Sequence, residues 1–410
     1  MKLGQTKVTK ASFRIAVALA LCVMLFLPAA SADSTITLTS PNAQNFGWFG
    51  SSVAINENDP IVVVGASLEN ANAVPKAGHA YVLDTTTGLI TTLTSPTPQS
   101  TVFDRGFGFS VSISGTTVVV GAPEETANAL SGAGHAYVFD ATTGSLITTL
   151  TSPNAQMNGE FGFSVSISGT TVVVGATFET ANAQSFAGHA YVFDATDGSL
   201  ITTLTSPTPQ SPGNFGSSVS ISGTTVVVGA RIETANALFG AGHAYVFDAT
   251  TGSLITTLTS PNAQISGMFG DSVSISGTTV VVGAPDETAN ALPFAGHAYV
   301  FDASTGSPIA SLTSPSAQGG GLFGISVSVG CTSVVVGASE ETANGQQVAG
   351  HAYSFDATAG FLATTLTSPN VQVGGEFGTS VAVSGRTVVV GALFETGSGF
   401  TQAGHAYIFP

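Results

Sequence analysis

The chain has 410 residues, of which 43% are hydrophobic and only 8% are charged. Its 8 Lys and Arg residues against 24 Asp and Glu residues give a net charge of −16, which disfavours nucleic-acid binding. The hydrophobic fraction excludes an intrinsically disordered chain, and the 2 cysteines exclude a disulfide-based scaffold. These numbers indicate a folded protein with an acidic, sparsely charged surface, and they leave its function open.

Residues 1–32 have the features of a secretory signal peptide. Four basic residues precede an apolar stretch at 15–27, and small residues follow it up to Ala32. The apolar stretch is too short for a comfortable membrane span, and the order of these features is typical of a cleaved leader. We expect cleavage near Ala32 and a secreted or cell-surface chain without a transmembrane segment. Lipidation at Cys22 is an alternative, which the preceding Leu21 disfavours.

One sequence unit recurs seven times along the rest of the chain. Each copy contains Gly-His-Ala and a tyrosine two residues after the histidine, which accounts for all 7 histidines and all 7 tyrosines. The histidines are His79, His135, His189, His243, His297, His351 and His405. After a first interval of 56 residues, every interval is 54. Seven units of 54 fill residues 33–410, which predicts one domain of seven repeats.

Each unit predicts four β-strands. In the third unit, four stretches are rich in Val, Ile, Thr and aromatic residues, which favour strands: 162–168, 171–176, 189–194 and 200–205. The second stretch, Thr-Val-Val-Val-Gly-Ala, shows no polar alternation, so both of its faces are expected to be buried. Ser-Gly-Thr-Thr at 168–171 and Asp-Ala-Thr-Asp-Gly at 194–198 predict tight turns between strands.

Seven four-stranded units form either an open solenoid or a closed propeller. A solenoid needs atypical end repeats, whereas the end repeats here are as regular as the inner ones. The repeats begin with a fourth strand at 35–41 and end with a third strand at 405–409, so the N-terminal strand can complete the last blade. We therefore predict an all-β, seven-bladed β-propeller of four-stranded antiparallel blades, closed by that strand.

The repeats contain a recognisable pair of motifs. Phe107-Gly108 is followed about 14 residues later by Gly121-Ala122-Pro123, and the other units repeat this pattern with changes at the proline. Together with the Gly-His-Ala-Tyr-Val-Phe strand, the pattern resembles the FG-GAP repeat of integrin α-subunit propellers and their microbial relatives, over the whole of 33–410. The resemblance implies a propeller. It leaves the activity open, because the family includes adhesion receptors, lectin-like modules and propeller parts of some hydrolases.

The same resemblance raises the question of calcium. Many FG-GAP blades resemble calcium loops of the type Asp-x-Asp-x-Asp-Gly between the first two strands, but most units here have Ser-Gly-Thr-Thr, which offers no carboxylate. Only the first unit has acidic residues there, Glu57 and Asp59, which form either a weak calcium site or a solvated turn. We expect no cofactor. A similarity of 137–145 to quinone-dehydrogenase propellers is disfavoured because those repeats dock with tryptophans, and Trp48 is the single tryptophan.

Two ionisable residues recur in every unit. The histidine lies on the third strand, roughly 10 Å outside the innermost one, which is too dispersed for one metal. We expect it to fill and hydrogen-bond within a contact between blades. A glutamate recurs in the loop between strands 2 and 3: Glu69, Glu125, Glu179, Glu233, Glu287, Glu341 and Glu395. These carboxylates either form a ring that attracts a cationic ligand or satisfy backbone groups of their own loops.

The copies differ at one end of the predicted propeller, where the 4–1 and 2–3 loops meet. The variable residues there include Trp48, Phe103, Asp104, Arg105, Phe186, Arg231, Phe239 and Phe294. Loops on a rigid scaffold often carry binding residues, and exposed apolar clusters often mark interaction sites. Neutral variation in unconstrained loops is the alternative.

These observations favour a secreted, non-enzymatic binding or adhesion module. It would recognise an extracellular protein or a glycan through the variable face, with the listed residues and the recurring glutamates as candidate contacts, and we expect a monomer. Two alternatives remain. The chain is a structural cell-surface component, or it is an extracellular hydrolase in which Asp104, beside Arg105, supplies acid–base chemistry. No other residue is assigned a catalytic role.

Overall fold

A computed structural model describes residues 35–56 and 61–410. The predicted signal peptide at 1–32 and the candidate calcium ligands Glu57 and Asp59 lie outside the described residues. Within the described ranges, regular structure consists of 28 β-strands in seven four-stranded antiparallel sheets. This part of the chain contains no helix with the length and hydrophobicity needed to cross a membrane.

Six blades use consecutive strands. Blade 1 contains β2 (Phe49–Ile55), β3 (Ile61–Ala66), β4 (His79–Asp84) and β5 (Ile90–Leu93), and blade 2 contains β6 (Ser110–Ser114), β7 (Thr117–Ala122), β8 (His135–Asp140) and β9 (Leu146–Leu150). Blade 3 contains β10 (Phe161–Ser168), β11 (Thr171–Ala176), β12 (His189–Asp194) and β13 (Leu200–Leu204), and blade 4 contains β14 (Phe215–Ser222), β15 (Thr225–Ala230), β16 (His243–Asp248) and β17 (Leu254–Leu258). Blade 5 contains β18 (Val273–Ser276), β19 (Thr279–Ala284), β20 (His297–Asp302) and β21 (Pro308–Leu312), and blade 6 contains β22 (Ser326–Val329), β23 (Ser333–Ala338), β24 (His351–Asp356) and β25 (Leu362–Leu366).

Blade 7 joins the two ends of the repeat region. It contains β26 (Phe377–Ser384), β27 (Thr387–Ala392), β28 (His405–Phe409) and β1 (Ile36–Leu38), in the order β1-β28-β27-β26. Strand β1 pairs antiparallel with β28, with Ile36 opposite Ile408 and Leu38 opposite Ala406. The first strands of neighbouring blades contact one another around the whole ring, including β2 with β26, so these strands line the axis. The predicted seven-bladed fold and its closure by the N-terminal strand are confirmed.

The hydrophobic core lies between the blades rather than inside them. In β11, Val172 and Val174 pack against residues of blade 2, while Val173 packs against blade 4, and all three are fully buried. The uninterrupted valine run therefore buries both faces of the sheet, as its sequence predicts. The turn after β12 also forms as predicted, because the Asp194 carboxylate accepts the Thr196 backbone N–H at 2.8 Å.

Serine side chains cover the inner edge of the sheets in blades 2 to 6. An edge strand leaves backbone groups unpaired. Here the Ser166 Oγ accepts the backbone N–H of Ile221 in the next blade at 3.1 Å, and Ser168 does the same for Gly223 at 3.1 Å. Ser112 and Ser114 make the equivalent contacts from blade 2 to blade 3. The alternation of serine with apolar residues in the first strand thus joins neighbouring blades through hydrogen bonds.

The paired glycines of the repeat mark the closest approach between blades. Gly216 follows Phe215 with φ +86°, and its carbonyl oxygen would lie 2.0 Å from a Cβ added to Gly175. The blade 7–blade 1 contact has the same geometry, because the Gly50 carbonyl would lie 2.1 Å from a Cβ on Gly391. Only glycine allows this backbone contact, and it closes the ring with the packing of every other interface.

Replacing Gly175 with Ala should therefore separate blades 3 and 4. We expect Gly175→Ala to lower the free energy of unfolding by about 3 kcal/mol or more, because the obstructing atom is a backbone oxygen that cannot rotate away. Chemical denaturation measures the change. Gly330→Ala is the matched control, since its nearest neighbours lie at 3.7 Å, and it should be nearly neutral. Equal effects of the two substitutions would contradict this explanation of the motif.

Candidate functional site

The connectors between blades and the 2–3 loops lie at the same end of the propeller. We call this end the loop face; it comprises the connectors 39–48, 94–106, 151–160, 205–214, 259–268, 313–322 and 367–376 and the loops 67–78, 123–134, 177–188, 231–242, 285–296, 339–350 and 393–404. A connector glutamine ties the two together: Gln156 Oε1 accepts the Thr180 N–H at 2.9 Å, and its Nε2 donates to the Thr180 carbonyl at 3.2 Å. The loop face is therefore held to the scaffold in each repeat.

The recurring glutamate is the anchor beneath the loop face. Glu179 is fully buried, and its Oε2 accepts the Tyr191 hydroxyl at 2.5 Å. Its Oε1 accepts the hydroxyl of Ser152, which belongs to the connector arriving from blade 2. The His189 Nδ1 lies 2.9 Å from Oε2. One carboxylate thus joins its own loop, the third strand and the incoming connector.

This arrangement corrects the prediction that the recurring glutamates contribute to a ligand-binding surface. All seven are at most 2% exposed: Glu69, Glu125, Glu179, Glu233, Glu287, Glu341 and Glu395. A carboxylate enclosed by Tyr, Ser and His cannot meet a ligand at the surface. The alternative, in which each glutamate forms hydrogen bonds near its own loop, is closer to the structure. Its partners, however, are side chains and not loop backbone groups.

The histidines also differ in detail from the prediction. Each imidazole Nδ1 lies 2.8–3.2 Å from the glutamate of its own blade, not from a neighbouring blade. The geometry is that of a hydrogen bond at His243 and His351. Each ring also lies beside the tyrosine two residues later, at 5.5 Å between centroids for His189 and Tyr191. The histidines are therefore part of the glutamate anchor.

The connector serine is the anchoring residue that sequence reasoning missed. It occurs as Thr-Ser-Pro in every repeat and is buried each time: Ser40, Ser95, Ser152, Ser206, Ser260, Ser314 and Ser368. In blades 1, 3, 5 and 7 it donates to the glutamate. Those connectors continue Pro-Asn, whereas the connectors to blades 2, 4 and 6 continue Pro-Thr or Pro-Ser. The recurrence of Thr-Ser-Pro was the sequence feature that could have revealed this contact.

The surroundings of the buried glutamates raise the pKa of all seven tyrosines. Burial, followed by the charge of the neighbouring glutamate, raises the pKa of each phenol well above its usual value near 10: Tyr81, Tyr137, Tyr191, Tyr245, Tyr299, Tyr353 and Tyr407. In blade 6 the hydrogen bond to Glu341 precedes the charge as a cause. A tyrosine with a raised folded-state pKa stabilises the fold below its unfolded pKa.

Stability should therefore fall as the pH rises above about 10, the ordinary pKa of tyrosine. In that range the folded chain retains phenolic protons that the unfolded chain has lost, so each tyrosine removes about 1.4 kcal/mol of unfolding free energy per pH unit. Denaturant unfolding between pH 9 and pH 12 measures the slope of the unfolding free energy against pH. Tyr245→Phe should make this slope shallower by about 1.4 kcal/mol per pH unit, because one titrating proton is removed. Tyrosinate absorbance appearing near pH 10 while the chain remains folded would contradict the expectation.

The predicted phenylalanines lie at the tips of the loop face. Phe103, Phe186, Phe239 and Phe294 are 51–61% exposed, and they come from four different loops. Phe46, Val102, Met157, Ile265, Val373 and Phe400 are also exposed on this face. The structure thus places the predicted phenylalanines together on one surface, and the scaffold holds them there.

The structure gives Asp104 and Arg105 separate partners. The Asp104 carboxylate accepts Lys76 Nζ at 2.7 Å near the surface. Arg105 instead turns towards the axis, where its Nη1 donates to both oxygens of Glu160 at 2.6 and 2.8 Å. Exposed ion pairs such as Lys76–Asp104 contribute little stability. The two residues therefore do not form one acid–base unit.

Another group of predicted residues surrounds the axis. We call the residues around the axis at this end the axial mouth. One set precedes the first strands: Trp48, Glu160, Asn214, Met268, Leu322 and Glu376. The other set follows the second strands and includes Glu124, Phe178, Arg231, Asp286, Glu340 and Phe394. Arg231 donates to Asp271 at 2.7 Å. Trp48 packs edge-on against Phe394 with 5.3 Å between ring centroids, and its Nε1 has no hydrogen-bond partner within the described part of the chain. Trp48 therefore belongs to the mouth and not to the loop tips.

A shallow cleft of about 110 Å³ opens beside this mouth. Phe103, Glu124, Asn158 and Glu160 line it, among other residues. The Glu124 carboxylate accepts the backbone N–H groups of Val102, Phe103 and Arg105. Burial raises the pKa of Glu160 to about 7, with Arg105 opposing the shift. The cleft's carboxylates are thus already bonded to protein groups.

Comparison with known protein families matches the FG-GAP repeat to residues 34–83, 98–139, 145–193, 201–247, 253–301 and 362–409. The chain belongs to the FG-GAP repeat family. The match leaves out residues 302–361, where the structure nevertheless forms strands β21 to β24. The FG-GAP motif itself corresponds to the glycine contact between blades, so the family signature describes how the blades pack.

Among solved structures, the FG-GAP chain is similar to the crystal structure of the computationally designed Ika8 protein. The identity is 19%, the TM-score is 0.51, and the alignment covers 88% of this chain and 82% of that one. A similarity at this identity shows the fold alone. No curated protein matches the sequence. The FG-GAP propeller is consistent with a binding module.

Proposed function

We propose that this FG-GAP propeller is a secreted, non-enzymatic binding or adhesion module that recognises a protein or a glycan with its loop face. The observation that carries the proposal is the exposure of Phe103, Phe186, Phe239 and Phe294 on that one face. Aromatic side chains supply large contact areas and dominate the energetics of many interfaces. Their presence on four loops at the variable end favours recognition over neutral variation.

The scaffold supports this role by holding the loops before a ligand arrives. Each connector is fixed by its glutamine, as in the contact between Gln264 and Thr288, and each 2–3 loop by its buried glutamate. A preformed surface loses less conformational entropy on binding than a mobile one. The acidic surface would additionally favour ligands that carry positive charge.

The loop tips can be tested with a matched pair of multiple variants. In the tip variant, Phe103, Phe186, Phe239 and Phe294 are each changed to Ser. In the control, Leu146, Leu200, Leu254 and Leu362 are changed to Thr; these residues are 42–45% exposed on the outer strands. Glycan arrays and immobilised extracellular proteins supply ligands, and titration gives the Kd of each one bound.

We expect the tip variant to weaken binding at least tenfold, because loss of buried aromatic contacts typically costs about 2 kcal/mol or more at a hot spot. The outer-strand control should bind as the unchanged chain does, and both variants should retain the same unfolding temperature. Undiminished binding by the tip variant would refute the assignment to the loop face.

The outer strands favour a second candidate, a structural component that assembles with copies of itself. The fourth strand is the outer edge of each blade, and in blades 2 to 4 its first two residues are exposed Leu and Ile without any charge, as in Leu146 and Ile147. Uncharged, apolar edge strands are prone to pair with other chains.

Sedimentation of the purified chain over a range of concentrations tests this candidate. Self-association through the outer strands should produce assemblies that grow with concentration, and the outer-strand variant should remain monomeric while the tip variant assembles normally. A monomer at every concentration, or assembly that only the tip variant abolishes, would remove the candidate.

A further inference from the structure

A slot at the axial mouth of blade 3 is filled by an arginine of the same chain. The Arg105 guanidinium meets the Glu160 carboxylate, while its Cζ lies 5.5 Å from the Phe163 ring centroid and 5.7 Å from that of Phe178. Glu124 adds a second carboxylate nearby, whose charge opposes the ionisation of Glu160. The slot therefore binds a guanidinium through one carboxylate and two aromatic faces.

Blade 7 repeats this slot without the arginine. Four repeats of 54 residues separate Glu160 from Glu376, Phe178 from Phe394 and Glu124 from Glu340. At the position equivalent to Arg105, the chain has Gly321, which has no side chain to reach blade 7. Thr379 replaces Phe163, and Trp48 packs against Phe394 from the side of blade 1. Carboxylates and an aromatic wall are thus present, while the internal cation is missing.

The two carboxylates of this slot, Glu340 from blade 6 and Glu376 from blade 7, have no basic partner among the described residues. The half-buried Glu376 side chain has no hydrogen bond or ion pair with the described residues, and Glu340 is exposed beside it. Burial, together with the charge of Glu340, raises the pKa of Glu376 to about 7. By contrast, Arg105 pairs with Glu160 and Arg231 pairs with Asp271 elsewhere around the mouth. Blades 6 and 7 therefore hold two like charges together, with no basic partner in the part of the chain that the structure describes.

We propose that the slot formed by Glu376, Glu340, Phe394 and Trp48 binds a guanidinium group, supplied by an arginine side chain of a partner protein. The proposal rests on the loop-face function and specifies one contact within it. Guanidinium is favoured over ammonium because its planar fork matches a carboxylate in two places and stacks on aromatic rings. In the equivalent slot, Arg105 donates from Nη1 to both Glu160 oxygens, while its Cζ lies 5.5 and 5.7 Å from two aromatic ring centroids.

The single tryptophan reports occupancy of the slot directly. Trp48 is the only tryptophan of the chain and lies against Phe394, so its fluorescence should change when a guanidinium enters. The probe is Nα-acetyl-arginine amide, titrated into the full-length protein. The neutral analogue Nα-acetyl-citrulline amide and the ammonium analogue Nα-acetyl-lysine amide are titrated in parallel. We expect a saturable change with the arginine probe and at least tenfold weaker binding of both analogues.

Two equivalent substitutions test the assignment to blade 7. Glu376→Gln should weaken binding of the arginine probe at least tenfold, because it removes the charge that meets the guanidinium. Glu160→Gln changes the equivalent residue of a slot already filled by Arg105 and should leave probe binding within twofold. Phe394→Leu, which removes only the aromatic wall, should weaken binding while the chain keeps its unfolding temperature.

The outcomes separate this proposal from the loop-face function. Equal responses to the arginine and citrulline probes, or unchanged probe binding by Glu376→Gln, would overturn the guanidinium slot and leave the aromatic tips untouched. The tip variant keeps all four slot residues, so it should bind the probe normally even if it loses its larger ligand. Loss of probe binding on Glu160→Gln but not on Glu376→Gln would place the site in blade 3 and also overturn the proposal.

Discussion

The fold depends on a backbone contact that only glycine permits. Each blade presses the carbonyl of its Phe-Gly glycine onto the Gly-Ala glycine of the preceding blade, as Gly216 does on Gly175. With the blades this close, the valines of each second strand fill both adjoining interfaces, and the inner-strand serines reach the backbone of the next blade. The same spacing repeated seven times brings Gly50 onto Gly391 and closes the ring. The hydrogen bonds and core packing both follow from this distance.

The buried glutamates hold the loops of the loop face at equivalent positions in the repeats. In blade 3, Glu179 joins the Tyr191 hydroxyl to the Ser152 hydroxyl of the incoming connector, and blades 1, 5 and 7 repeat this link, so their loops begin from equivalent fixed points. Residues that recur in all repeats therefore build and hold the scaffold, while residues present in one repeat are free to differ. Phe103 and Arg105 belong to the second class, since the connector that carries them is longer than the others.

The sequence was sufficient for the fold because repetition supplies seven independent copies of each weak local pattern. The strands of the third unit lie where alternation and β-branched runs indicate, from Phe161–Ser168 to Leu200–Leu204. The candidate site was less accessible. A recurring Glu is compatible with a charged surface ring or a buried anchor, and only the packing of Tyr, Ser and His around it decides. The partner of Arg105 was equally hidden, because Glu160 belongs to another repeat.

Departures from exact repetition are therefore the most informative features of this chain. An FG-GAP propeller with seven identical blades would offer the same contacts in every direction, and no position would be preferred. Arg105 neutralises a slot between blades 2 and 3, whereas Gly321 leaves Glu376, in the equivalent slot between blades 6 and 7, unpaired among the described residues. Trp48 and Phe394 then add an aromatic wall on that side. Arg105 is the single departure from glycine at this position of the repeat, so the carboxylate that is paired in one slot stays available to a ligand in the other.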